Sequence, residues 1–151
     1  MAASPVSEPA PVSGSRHGSG LEPIFRPRSI AVLGVTPTAG TVPHDIFVNL
    51  LDGRFNGPVY PVSPRRRHIA GVRAYDYVID IPDPVELAIL TFPGRVCELA
   101  LEQCGQKGIP AAIIISAGFR EVGPEGRARE DRIVAIAREY GMRLIGPNCL
   151  G

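Results

Sequence analysis

The sequence predicts an α/β protein with a Rossmann-like, doubly wound and mainly parallel sheet in a three-layer α/β/α arrangement. Short apolar runs of strand length alternate with stretches of helical periodicity from about residue 29 to residue 145, a pattern typical of parallel strands joined by crossover helices. The chain has 151 residues, 44% of them hydrophobic, which suffices for one domain with a buried core.

A local sequence pattern predicts each strand and each helix. Five apolar or alternating runs predict strands over residues 29–35, 58–62, 86–92, 111–116 and 143–145. Helical spacing predicts helices over 43–52, from Pro93 to about Gln106, and over 124–140, and glycine follows the first and the third. We expect the second helix to bury Val96, Leu99, Ala100 and Gln103, and the third to bury Ile133, Ile136, Ala137 and Tyr140. The segment 71–83 predicts a short strand and a turn.

The first twenty residues differ in composition from the rest. Ala, Ser, Pro and Gly dominate residues 1–20, so we expect a disordered tail there and a folded domain over residues 21–151. Leu21, Ile24 and Phe25 predict a short amphipathic turn that ends before Pro27.

Charge and cysteine content exclude several classes of function. A net charge of +1 gives no general attraction to nucleic acid or to acidic membranes, and no apolar run is long enough to span a bilayer. Three cysteines, an odd number without metal-site spacing, indicate a reduced, cytoplasmic protein without a metal site. We interpret one of them, Cys149, as a buried structural thiol rather than a nucleophile.

Ligands of doubly wound sheets bind beyond the carboxyl ends of the strands, which here directs attention to loops 34–43, 63–67, 91–95, 116–120 and 146–149. The first loop does not spell the dinucleotide fingerprint, because Gly34 is followed by Val35 and the next glycine is Gly40. It does offer the hydroxyls of Thr36, Thr38 and Thr41 before a helix N-terminus, an arrangement suited to an anion. The alternative is an ordinary strand-to-helix connection.

The end of the second strand carries Ser63, Pro64 and Arg65 where NAD enzymes usually have an acidic residue for the ribose. Guanidinium groups hold phosphates, so this loop favours NADP or coenzyme A over NAD. The run of Arg65, Arg66, Arg67 and His68 is alternatively a solvated basic loop.

The remaining loops suit a thin ligand arm. Thr91, Phe92 and Pro93 provide a hydroxyl and a ring for lining a tunnel that holds a pantetheine-like arm, although Phe92 equally suits a core-capping role. Residues 116–119 are mostly small, which allows close approach to the backbone. No nucleophile motif is present, so we predict no catalytic residue.

Together, the segments 25–34, 58–64 and 115–119 and the closing motif Gly146-Pro-Asn-Cys-x-Gly resemble the coenzyme A-binding domain of NDP-forming acyl-CoA synthetases. The same domain occurs in succinyl-CoA ligase alpha subunits and in related protein acetyltransferases. The resemblance covers the chain from about residue 21, and the closing motif is its most specific part.

The resemblance implies a role for each loop in binding coenzyme A or acyl-CoA. Gly34, Thr36, Gly40 and Thr41 would hold the nucleotide phosphates, and Arg65, after Ser63 and Pro64, would meet the ribose phosphate or the adenine. Thr91, Phe92 and Pro93 would follow the pantetheine arm to a thiol end at Ser116, Gly118, Asn148 and Cys149. Two residues depart from the family pattern: Pro43 replaces a common glycine, and Ser63 replaces a usual asparagine.

In the larger enzymes of this family, further domains supply a phosphorylated histidine and an ATP-grasp module. The resemblance therefore implies the N-terminal part of an NDP-forming (ADP-forming) acyl-CoA synthetase or of a related protein acetyltransferase, with the chemistry carried elsewhere. Two alternatives remain open: an NADP-binding oxidoreductase domain, and a standalone module that senses acyl-CoA.

Overall fold

A five-stranded parallel sheet forms the centre of the computed structural model, which describes residues 20–149. Its strands are β1 (Ile30–Leu33), β2 (Val59–Val62), β5 (Leu87–Leu90), β6 (Ala111–Ile114) and β7 (Arg143–Ile145), in the spatial order β2-β1-β5-β6-β7. A small antiparallel hairpin, β3 (His68–Ile69) with β4 (Val72–Arg73), follows β2. These observations confirm the predicted fold class.

The strand order reverses next to β1. The chain passes from β1 to β2 on one side and then crosses to β5 on the other, so β1 and β5 pair in parallel at the switch point. In doubly wound sheets this is where a crevice opens for a ligand.

Among residues 20–149, four helices flank the sheet: α1 (Glu22–Phe25), α2 (Val42–Asp52), α3 (Gly94–Lys107) and α4 (Pro124–Glu139). Proline in the first turn of α2 and α4 suits the helix start, since its missing N–H would have no acceptor there. Gly108, with φ of 81°, ends α3 in the left-handed conformation that glycine adopts without strain. Two 3-10 turns, Val78–Asp80 and Arg120–Val122, connect the elements.

Alternate strand residues divide the core into two layers. Ala31 and Leu33 face the side of α3 and α4, whereas Ile30 and Val32 face the side of α1 and α2, where Phe47 is fully buried. Because both faces are covered, all four residues of β1 are buried, as expected of a central parallel strand.

The predicted buried face of α3 is correct at Ala100, which is buried, but wrong at two other positions. Val96 and Leu99 are exposed, by 39% and 66%, and the helix instead buries Cys97, Leu101 and Cys104. These three residues also have helical spacing, and α3 packs against both the sheet and α4, which rotates the buried face toward them. On α4, by contrast, Ile133 and Ala137 are buried as predicted.

The tail predicted over residues 1–20 lies outside the described residues except for Gly20, as do Leu150 and Gly151 of the closing motif. Within residues 20–149, no helix combines the length and the apolar character needed to cross a membrane. The same described part of the chain contains no group of three His, Cys, Asp or Glu side chains able to hold a metal ion.

Candidate functional site

The five loops that were predicted to carry the site all leave the carboxyl edge of the sheet. In spatial order, they follow β2, β1, β5, β6 and β7. Four inter-strand spacings separate the first loop from the last, roughly 19 Å at the usual spacing of parallel strands. The edge is therefore long enough for an elongated ligand.

Gly34 joins the loops after β1 and β5. Its φ is 93°, and a Cβ at this position would lie 2.8 Å from the Thr91 hydroxyl oxygen and 2.9 Å from the Phe92 ring. Thr91 in turn donates its hydroxyl proton to the Leu33 carbonyl oxygen over 2.7 Å. Glycine is thus required for the two loops at the switch point to pack together.

The threonine hydroxyls of the first loop bond to the loop itself. Thr41 donates to the Thr38 carbonyl oxygen, and because a hydroxyl has one proton, Thr36 donates to Thr41, each over 2.8 Å. The Gly40 N–H donates to the Asp45 carboxylate over 3.1 Å. Among the described residues, no acceptor takes the N–H groups of Thr38 and Ala39, so these two donors are available to an anion.

A basic cavity of about 720 Å³ lies beyond β2. Its lining contains four arginines, Arg65, Arg66, Arg67 and Arg73, together with His68, and Asp76 and Asp80 complete the polar wall. Within it, the Arg65 backbone has φ of 66° and donates its N–H to Asp76 over 2.7 Å, while the Arg65 residue is exposed. Ser63, by contrast, is buried, and its N–H bonds to Tyr75.

An apolar groove of about 120 Å³ adjoins the basic cavity, and Asp76 lines both. The groove lies between the ends of β1 and β2 and the side of α3. Its apolar walls are Leu33, Val62, Pro64, Tyr77, Val78, Phe92, Val96, Leu99 and Ala100. Val96 and Leu99, which were predicted to be buried in the core, therefore line a surface groove instead.

The loop after β6 is held from both sides. Gly118, with φ of 101°, and Phe119 donate their N–H groups to the Glu121 carboxylate over 2.5 and 3.2 Å, while Arg129 donates to the Gly118 carbonyl oxygen. The two backbone N–H groups, together with that of Glu121 itself, hold the pKa of the Glu121 carboxyl below its ordinary value.

Ser116, at the start of this loop, is buried beside Cys97. The Cys97 thiol donates to the Phe92 carbonyl oxygen over 3.5 Å, and burial raises its pKa to about 11. A thiol with this pKa is a poor nucleophile at neutral pH. It acts here as a packing group between two loops of the site.

The last loop carries Asn148, half-buried with φ of 55°, and Cys149. The prediction that Cys149 is buried is wrong, since its side chain is exposed, with the sulfur 3.6 Å from the Ile114 carbonyl oxygen. The reason is topological: β7 is an edge strand, so the loop that follows it has a neighbouring strand on one side.

Sequence reasoning missed three carboxylates. Asp45, Asp76 and Glu121 each accept an N–H bond from a residue with positive φ, namely Gly40, Arg65 and Gly118. An acidic residue three to five positions after a loop glycine was a detectable signal for Asp45 and Glu121. Asp76 lies eleven residues after Arg65 in a different turn, so it had no local signal.

The sequence of this chain is similar to that of a known family of domains. The family model described as "CoA binding domain" matches residues 28–151. The chain is 44% identical over 131 residues to the Acetate–CoA ligase [ADP-forming] II subunit alpha of Pyrococcus furiosus, covering 87% of this chain and 28% of that one. It is equally similar to Acetate–CoA ligase [ADP-forming] I of Archaeoglobus fulgidus, of which it covers 19%.

Solved structures agree. PH0766 from Pyrococcus horikoshii superposes with a TM-score of 0.83 at 44% identity, over 87% of this chain and 30% of that one. The dinucleotide-forming acetyl-coenzyme A synthetase 1 of Ca. Korarchaeum cryptofilum, in complex with phosphate and ADP, gives 0.83 at 36% identity, over 87% and 28%. The chain thus spans less than a third of these relatives, and corresponds to the N-terminal, alpha-subunit part of ADP-forming acetyl-CoA synthetases. The chain belongs to the family of CoA-binding domains, and its ligand is coenzyme A.

Proposed function

We propose that the domain binds coenzyme A in an extended form along the carboxyl edge of the sheet, with the nucleotide at the β2 and β1 loops and the thiol at the β6 and β7 loops. One observation supports this direction above all: four arginines line the cavity at the β2 end, whereas residues 116–118 of the loop after β6 are small and uncharged. Coenzyme A has the same asymmetry, since its phosphates are all at one end.

At the nucleotide end, the basic cavity takes the 3′-phosphate. Arg65 is the first cation after β2 and has an exposed guanidinium, so it is the residue that we assign to this phosphate, preceded by Ser63 and Pro64. The apolar groove next to it, bounded by Pro64, Tyr77 and Phe92, takes the adenine ring.

The pyrophosphate binds at the loop after β1. The free N–H groups of Thr38 and Ala39 and the N-terminus of α2 supply donors and a favourable dipole. In this proposal Gly34, Gly40 and the bonded pair Thr36 and Thr41 shape the loop.

The pantetheine arm passes Thr91, Phe92 and Pro93 and ends near Ser116, Gly118, Asn148 and Cys149. The backbone at Gly118 and Gly146 has positive φ, and neither residue has a side chain of its own to obstruct a ligand. This suits a thin, uncharged arm, which is recognised through shape and backbone contacts.

The catalytic steps belong to other domains or subunits in this proposal. The relatives named above are ADP-forming ligases of more than three times the matched length, so we propose that ATP-grasp and ligase modules complete the reaction in the cytoplasm. The domain itself supplies the thiol of coenzyme A in a fixed position.

Isothermal titration calorimetry of the full chain tests the binding proposal. We expect coenzyme A to bind, dephospho-coenzyme A to bind more weakly because it lacks the 3′-phosphate, and NADPH to give no saturable heat. Tight binding of NADPH without any response to coenzyme A would favour an oxidoreductase domain instead.

An activity assay separates the binding domain from a complete enzyme. The chain is incubated with ATP, acetate and coenzyme A, and acetyl-CoA is measured by chromatography. We expect no turnover, because the described residues contain no assigned nucleophile. Acetyl-CoA formation by the purified chain would refute the proposal that other modules carry the chemistry.

A further inference from the structure

In the loop after β6, two successive peptide groups each form hydrogen bonds through both the N–H and the carbonyl oxygen. The peptide between Ala117 and Gly118 donates its N–H to Glu121, and its carbonyl oxygen accepts the Gly94 N–H over 3.2 Å. The peptide between Gly118 and Phe119 donates its N–H to the same carboxylate, and its oxygen accepts a bond from Arg129.

These bonds matter because Gly118 is otherwise free to reorient. Its φ of 101° lies in the region that glycine populates readily, and a Cβ at this position would meet protein atoms only at 3.6 Å or beyond. Rotation of either peptide would replace a donor by an acceptor on the surface of the loop. The carboxylate on one side and the guanidinium on the other oppose that rotation.

The same bonds couple the loop to the start of α3. A Cβ on Gly94 would lie 2.9 Å from the Gly118 carbonyl oxygen, so the two backbones are in close contact. Gly94 directly follows Thr91, Phe92 and Pro93. A displacement of the 117–119 loop would therefore also move the loop that we assign to the pantetheine arm.

We infer that Glu121 is a positioning residue that, opposite Arg129, sets the orientation of the 117–119 backbone for the pantetheine end of coenzyme A. The inference rests on the proposed function, since it assumes that this end of the edge receives the arm. Glu121 acts through the loop backbone, and its oxygen Oε1 already accepts two N–H bonds. The lowered pKa keeps this carboxylate charged at neutral pH.

Calorimetry with two ligands tests the inference. Coenzyme A reaches both ends of the edge, whereas adenosine 3′,5′-bisphosphate contains the nucleotide end alone. We expect Glu121→Ala to weaken coenzyme A by about tenfold, the loss typical of hydrogen bonds to a charged group. The bisphosphate should change by less than about twofold, as expected for separated sites.

Two further variants complete the series. Glu121→Gln retains an acceptor oxygen without the charge and should give an intermediate loss of coenzyme A affinity. Glu125→Gln removes an exposed carboxylate on the adjacent turn and should leave both affinities unchanged. Equal weakening of both ligands by Glu121→Ala, or no weakening of either, overturns the inference while the proposed function stands. If the unaltered chain binds neither ligand, the proposed function and the inference fail together.

NMR tests the bonds themselves, even if Glu121→Ala folds poorly. The ¹H–¹⁵N signals of Gly118 and Phe119 should shift with pH in the unaltered chain, with a midpoint below the ordinary glutamate pKa of 4.5. The bonds should be complete above that value and lost as the pH falls through the lowered pKa. Glu121→Gln should abolish the titration, and an unchanged midpoint in that variant would contradict the assignment.

Discussion

The two ends of the carboxyl edge are built differently. At the proposed nucleotide end, the backbone is open away from the close contact at Gly34: a Cβ at Gly40, or at Gly71 in the β3–β4 turn, would meet nothing within 4 Å. At the proposed thiol end, the start of the loop after β7 is closely packed: a Cβ at Gly146 would lie 2.3 Å from the Ile114 carbonyl oxygen. Charge acts over distance and needs space for a phosphate, whereas an uncharged arm is recognised by the shape of a fixed backbone.

The largest expected contrast is in the free energy of unfolding, when glycine is replaced by alanine at one end or at the other. A Cβ at Gly126, in the first turn of α4, would lie 1.7 Å from the Phe119 carbonyl oxygen. Backbone must move to admit it, so Gly126→Ala should lower the free energy of unfolding by about 3 kcal/mol. Gly40→Ala meets no atom and should cost about 1 kcal/mol from its φ of 79° alone. Urea denaturation measures both free energies. Equal losses in the two variants would contradict the difference in packing between the ends.

Thiol labelling gives the next largest contrast. Burial raises the pKa of Cys97 to about 11 and that of Cys104 to about 12, whereas Cys149 is exposed. A rise of two from the ordinary value of 9 lowers the Cys97 thiolate fraction about a hundredfold, so iodoacetamide should modify Cys149 first. Mass spectrometry identifies the labelled residue.

The same labelling reaction, repeated with a ligand present, tests whether the thiol of coenzyme A lies near Cys149. Coenzyme A should slow the labelling of Cys149, and adenosine 3′,5′-bisphosphate should not. Protection by the bisphosphate would place the nucleotide at the wrong end of the edge.

Charge reversal at the nucleotide end should affect binding without affecting packing. Arg65→Glu should weaken coenzyme A by about 1 to 3 kcal/mol, the range for hydrogen bonds to charged groups, and dephospho-coenzyme A by less. Arg138→Glu, in the last turn of α4, is the matched control and should leave both affinities unchanged, because that turn precedes β7 at the opposite edge. Equal losses of affinity for the two ligands would show that Arg65 does not contact the 3′-phosphate.

Substitution of Asp45 should have the smallest effect on coenzyme A affinity, and it should strengthen binding rather than weaken it. Its carboxylate is bonded to Gly40 in the loop that we assign to the pyrophosphate, so it repels the ligand while it stabilises the N-terminus of α2. Asp45→Asn should strengthen coenzyme A by about 0.5 kcal/mol at low salt and lower the unfolding free energy by a similar amount. Calorimetry at two salt concentrations checks the first effect, and weaker binding would mean that the Gly40 bond matters more than the charge.

Local pattern was sufficient for the fold class and for the loops that form the candidate site. Apolar runs of strand length separated by helical stretches have few alternatives once crossovers are right-handed, so the sheet, the loops at its carboxyl edge and even the bounds of β7 were predictable. The closing motif and the basic loop after β2 also pointed to coenzyme A, which the family match confirms.

Tertiary packing decided the rest. Two helical stripes on α3 were equally compatible with the pattern, and contact with α4 determined that Cys97 and Leu101 are buried while Val96 and Leu99 line a groove. The exposure of Cys149 depended on β7 lying at the edge of the sheet. The bond from Arg65 to Asp76 joins residues of different turns. Periodicity reports which residues share a face, but which face meets a neighbour is set by contacts between segments distant in the chain.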